Sequence, residues 1–163
     1  MNIEMSFIRT EKRESIIDII TSRIKLPADK AGNQSAWGLS SSYDVLIAPD
    51  KKRKVAVSPM QNGWVAIVES KEIIDFTLLQ NISGTLNTDV VAIQISDVVG
   101  ACGYAFCRDG VVLEKYFNET DEDPIATARN YLKKNGIQFD VLTFREAVQL
   151  RLEGWDILNA NNN

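Results

Sequence analysis

Residues 89–118 read DVVAIQISDVVGACGYAFCRDGVVLEKYFN, and this stretch decides the fold. Val90 to Ile95 is a nearly continuous β-branched and apolar run, Cys102 to Cys107 is a second strand-like segment, and Val111 to Phe117 a third. Arg108-Asp109-Gly110 stands between the last two. An Asp-Gly pair flanked by strand patterns marks a hairpin, because both residues tolerate positive φ. Three strands in so short a span, joined by turns rather than helices, require antiparallel pairing.

The reading extends outward on both sides. Downstream, Asp123 can cap a helix with Pro124 in its first turn, Ile125, Ala128 and Leu132 facing inward, and Gly136 as the stop. Upstream, Lys54–Pro59 and Trp64–Glu69 flank Gln61-Asn62-Gly63, a second hairpin signal, with a loop expected to be slightly longer than two residues. Asp44–Ala48 is a further short strand, and Ser70 can cap a helix carrying Ile74, Leu78, Ile82 and Leu86. A strand is expected over Phe139–Leu142, and Thr143-Phe144-Arg145-Glu146 reads as a capping box opening a last helix through Leu158. Near the start, Ile16, Ile17, Ile19, Ile20 and Ile24 recur at helical spacing over residues 11–24, behind the capping candidate Thr10.

The expected fold is therefore α+β: an antiparallel sheet of about six strands, readable as two βββα units, with helices packed on one face plus an N-terminal amphipathic helix. Residues 1–42 hold that helix and a polar loop, Lys25–Ser42, docking on the body through Trp37; residues 43–158 form one domain; residues 159–163 are a disordered tail. A length of 163 residues suits a single domain. Neither a signal peptide at Met1–Thr10 nor an apolar run of about 18 residues is present, so a cytoplasmic location is expected and no membrane partner.

Composition narrows the chemistry. There is no histidine, which removes histidine-based nucleophilic and general-base catalysis and most histidine-bearing metal sites. Net charge is −4, unsuited to nucleic acid, and the basic run Lys51-Lys52-Arg53-Lys54 reads as a solvated turn. Cys102 and Cys107 would sit about 16 Å apart along one strand, too far to bridge, and read as buried thiols. Gly100-Ala101-Cys102-Gly103 lies between strands, not before a helix, so it is no phosphate cradle. No catalytic motif, cofactor fingerprint or metal-ligand spacing is present; the chain is read as a non-enzyme without cofactor or metal.

Strand alternation supplies the binding candidates. On Cys102–Arg108 the small residues Gly103, Ala105 and Cys107 suit a covered face, leaving Tyr104, Phe106 and Arg108 opposite. On Val111–Phe117, alternation groups Val112, Glu114 and Tyr116 against Val111, Leu113, Lys115 and Phe117. The candidate surface comprises Trp64, Tyr104, Phe106, Arg108, Glu114 and Tyr116, and the acidic run Glu119, Asp121, Glu122 and Asp123 is a second one. Aromatic and charged side chains mixed on one face resemble a binding surface more than plain solvated sheet. The chain is accordingly expected to be a bacterial-type protein-binding module, inhibitor- or immunity-like, partnered by another protein or by itself as a homodimer. The competing expectation is a small-molecule sensor or carrier with a pocket between sheet and helices, anchored by Trp64, Tyr116 and Arg108.

Overall fold

A computed structural model of the chain describes residues 2–24, 54–69, 76–96, 99–139 and 154–159. In chain order these form β1 (Asn2–Arg9), α1 (Arg13–Ile24), β2 (Lys54–Val57), β3 (Trp64–Glu69), α2 (Phe76–Leu86), β4 (Asp89–Ser96), β5 (Ala101–Arg108), β6 (Val111–Asn118), α3 (Pro124–Lys134) and β7 (Asp156–Asn159). The strands make one seven-stranded sheet in the order β6-β5-β4-β1-β3-β2-β7. Every neighbouring pair is antiparallel. The fold is α+β, as the strand patterns require.

The centre of the sheet is β1, a strand not expected from the sequence. It pairs with β3 on one side and β4 on the other, so Phe7 stands between Ala66 and Val91. Met5 and Phe7 point to one face and Ile8 to the other, and all three are buried. β3 is likewise covered on both sides: Trp64, Ala66 and Val68 enter one core, Val65 and Ile67 the other.

Helices cover both faces. Ile16, Ile17 and Ile20 of α1 and Leu78, Leu79 and Ile82 of α2 pack on the face carrying Ile8, Val65, Ile67, Ala105 and Cys107. Ala128, Tyr131 and Leu132 of α3 pack on the opposite face, against Met5, Phe7, Val91 and Ile93. Small residues on β5 do lie toward a helix: Ala105 and Cys107 share the core with α2. Arg13 ties α1 to the far edge. Its guanidinium donates to the carbonyls of Ser58 (2.6 Å) and Val57 (2.9 Å) and lies 2.7 Å from an Asp156 carboxylate oxygen.

Both hairpin turns are of the tight two-residue kind. Asn62 and Gly63 have φ of 51° and 78°, Asp109 and Gly110 of 50° and 80°. Gln61 and Trp64 exchange both backbone hydrogen bonds, at 2.8 and 2.9 Å, so the first turn is shorter than expected. Gly110 also meets α2, where a Cβ on it would lie 3.4 Å from the Gly84 Cα.

The end of the chain departs from expectation. Residues 156–159 are strand β7, not the close of a helix, and pair with β2 from Asp156↔Val57 to Lys54↔Asn159. Gly154, at φ +75°, stands two residues before its start. Leu158 enters one core while Ile157 packs against the other, a period of two that a helix could not satisfy. Asn159 therefore belongs to the sheet rather than to a disordered tail. Phe139 lies outside any strand and packs its ring 5.3 Å from that of Phe7. The expected strand at Asp44–Ala48, loop at Lys25–Ser42, cap at Ser70, strand over 140–142 and capping box at Thr143–Glu146 lie outside the described residues. The unit β4-β5-β6-α3 is a complete βββα; in the other half, β2, β3 and α2 are described.

Candidate functional site

The outer edge of the sheet, β6 with its neighbour β5, gathers most of the candidate side chains. Tyr104 on β5 faces Tyr116 on β6, and their rings stack at 4.7 Å between centroids and 17° between planes. The inner side of Tyr104 stacks on Tyr131 of α3 at 3.7 Å. The three rings form a ladder running from the helix to the sheet edge. The Tyr131 hydroxyl donates to Glu114 Oε2 at 3.1 Å, and Lys134 Nζ lies 3.9 Å from the other oxygen. Burial first, then the Glu114 carboxylate, pushes the Tyr131 and Tyr104 hydroxyls above their ordinary range.

Phe106 and Arg108 continue the same face. Arg108 lies 5.2 Å over the Phe106 ring and donates twice to Asp89, at 2.6 Å and 3.1 Å. The Asp89 hydrogen bond raises the pKa of the Arg108 guanidinium. Arg9 also lies 3.8 Å from Asp89. Arg108 is thus held by an internal carboxylate.

A bulge alters the expected faces of β6. Phe106 pairs with Glu114 but Cys107 pairs with Val112, which leaves Leu113 as the extra residue. Val112 is therefore turned away from Glu114 and Tyr116, and packs beside Cys107 in the α1/α2 core. Leu113 is 59% exposed, Val111 55% and Phe117 54%. With Tyr116, four of the six large hydrophobic side chains exposed among the described residues lie on this one strand.

The acidic run follows β6 directly, and its carboxylates divide. Asp123 Oδ1 accepts from the Ala126 amide at 3.0 Å and caps α3, as expected. Asp121 accepts from the Asp123 amide at 2.9 Å, and its own amide donates to the Gly100 carbonyl at 2.7 Å. Glu119 and Glu122 are exposed, and no hydrogen bond of this kind engages their carboxylates.

Trp64 does not join the edge. It is 6% exposed within the core beneath α3, on β3, four strands from β6, or about 19 Å across the sheet. Trp64, Tyr116 and Arg108 consequently do not line one pocket. A cavity of about 480 Å³ opens elsewhere, between Arg9–Lys12 and Ser15 at the start of α1 and Thr85–Thr88 after α2, with a mostly polar lining. Among the described residues no three Cys, Asp or Glu side chains converge as a metal site would need. Cys102 and Cys107 are free, buried, and on opposite faces of β5.

Sequence reasoning missed Tyr131 and Lys134, because helix-to-strand docking carries no local pattern, and Asp89, because the β4–β5 register brings it opposite Arg108. It set Leu113 and Phe117 opposite Glu114 and Tyr116 and did not count them among the binding candidates. The edge position of β6 exposes them.

No protein-family model matches this chain, and neither a curated protein nor a solved structure matches it. What stands is the fold class, α+β, with a seven-stranded antiparallel sheet and three packed helices among the described residues. No helix among the described residues is long and apolar enough to cross a membrane.

Proposed function

We propose that the protein is a non-enzymatic, cytoplasmic binding module of bacterial type whose docking element is the outer edge of β6. The observation that carries the reading is the row of exposed apolar side chains, Val111, Leu113, Tyr116 and Phe117, on a strand that has no neighbouring strand on its outer side among the described residues. Such an edge offers unpaired backbone N–H and C=O groups that an added strand satisfies. Exposed aromatic and aliphatic groups beside it supply the contact area.

The acidic run gives the module its inhibitor-like character. Glu119 and Glu122 extend from the end of β6, in a chain of net charge −4, and favour a basic surface on the partner. Asp121 and Asp123 contribute to the local field while serving the loop and helix cap.

Affinity capture with the tagged chain, washed at low and then high salt, tests the reading. A partner held by β6 resists salt and is lost from Leu113→Lys and Tyr116→Ala. One held by the acidic run is released by salt and lost from a Glu119→Gln/Glu122→Gln double variant. Capture that is equal for wild type and all these variants sinks the proposal. Tyr116 is the better target than Tyr104, whose ring is sandwiched between Tyr116 and Tyr131 and contributes to folding.

A further inference from the structure

The spacing of the tyrosine ladder says what fits on the edge of β6. Tyr116 and Tyr104 stack at 4.7 Å, the spacing of neighbouring strands, so a ring on an added strand opposite Tyr116 continues the ladder without adjustment. The outer side of the Tyr116 ring faces that position, and the residue is 36% exposed.

From this we infer that the occupant is a second copy of this chain, its β6 pairing antiparallel with the first across a two-fold axis at Tyr116. The inference rests on β6 being the docking element. A two-fold normal to a continuous sheet keeps each face on its own side, so the axis must pass through a residue position. Centring on Glu114 sets two carboxylates opposite each other, and centring on Lys115 sets two ammonium groups opposite; both arrangements are unfavourable. Registers nearer Val111 run across the bulge at Leu113, where face alternation breaks. Centring on Phe117 leaves only three residues of each strand paired, Tyr116 to Asn118.

Centring on Tyr116 pairs Glu114 through Asn118 of each copy and sets no like charges opposite. Tyr116 meets its own copy, so six tyrosines stack from one α3 to the other. Lys115 stands opposite Phe117 of the second copy, a cation over an aromatic ring, which is the contact it already makes with Phe76 at 4.7 Å. Glu114 stands opposite Asn118, an acceptor facing an amide donor. The two acidic runs leave at opposite ends of the pair, which keeps them apart.

The test is mass and register together. Light scattering across about 1–200 µM should show a concentration-dependent dimer, since a short edge pair lies at the small end of specific interfaces. Single cysteines placed by Glu114→Cys, Lys115→Cys and Tyr116→Cys then read the register under mild oxidation. With the axis at Tyr116, the paired Cα atoms lie about 5 Å apart at 116, about 8 Å at 115 and about 14 Å at 114. Only the first is within disulfide reach, so the 116 variant should cross-link at least about tenfold faster than the others. The native thiols, both buried, stay out of the reaction. Circular dichroism confirms that each variant is folded. A monomer throughout overturns the inference, as does a dimer that cross-links fastest at 114 or 115. If the chain is monomeric while salt-resistant capture still fails with Leu113→Lys, β6 docks another protein and the broader reading stands. If that sensitivity is missing too, both fall.

Discussion

The buried thiols of β5 and the tyrosines beneath α3 give the clearest residue-scale consequences. Burial, with the nearby Asp121 carboxylate adding to it, pushes the Cys102 thiol up to about 11, and burial alone raises that of Cys107. The thiolate is the reactive form, so iodoacetamide at pH 8 should leave both cysteines unmodified until denaturant is added. Mass spectrometry before and after denaturation checks this, and rapid native labelling would contradict it. The same shifts bear on stability. An acid whose folded pKa exceeds its unfolded value holds its proton longer when folded, so stability falls as pH rises above the unfolded value. For the thiols that decline begins near 9.0, and for Tyr104 and Tyr131 near 10.0. Urea midpoints should therefore drop steadily above about pH 9. Tyr131→Phe removes the hydroxyl bonded to Glu114. It should cost about 0.5–1.5 kcal/mol at neutral pH yet flatten the alkaline decline. An unchanged slope would show that Tyr131 does not contribute to it.

At the scale of elements, the segment between β6 and α3 separates structure from recognition. Asp123 satisfies a helix amide, so Asp123→Ala should lower stability by about 1 kcal/mol in urea unfolding. Glu119→Ala and Glu122→Ala, on exposed side chains, should change it by less than about 0.5 kcal/mol. Equal losses from all three would mean that the whole run is structural. This helix was legible in the sequence because its start and stop signals are local: an Asp cap, a proline in the first turn, and Gly136 at φ +71° just beyond the end. The two hairpins were legible for the same reason. The bulge at Leu113 was not, because a bulge depends on how a neighbouring strand lines up rather than on the residues of the bulged strand alone.

For the whole molecule, β1 is the element on which the halves of the sheet depend. Among the described residues it is the strand that joins β4 to β3, and Phe7 is fully buried in the core beneath α3. Phe7→Ala should cost about 3–5 kcal/mol, a large share of the stability of a domain of this size. Deleting residues 2–9 should abolish cooperative unfolding, seen as loss of the near-ultraviolet dichroism of the packed aromatics. A truncated chain that still unfolds in one sharp transition would show that the two halves pair without β1. The strand eluded sequence reading because Asn2–Arg9 carries no long run of β-branched residues. Its alternation of Met5 and Phe7 against Ser6 and Ile8 is clear only when a partner stands on each side.

What the residues determined by themselves was local: helix caps, the Asn-Gly and Asp-Gly turns, the runs of β-branched residues, and the antiparallel class that short connections impose. These depend on φ preferences and on hydrogen bonds within a few residues of each other. Tertiary structure alone decided the order of the strands, the faces the helices cover, and the ending of the chain as β7 rather than a helix. It also decided that Tyr131 stacks on Tyr104, that Trp64 is core, and that β6 lies last in the order of the described strands. Those outcomes follow from burying both faces of one sheet at once, an energy shared among residues far apart in the chain, which no local window of sequence contains.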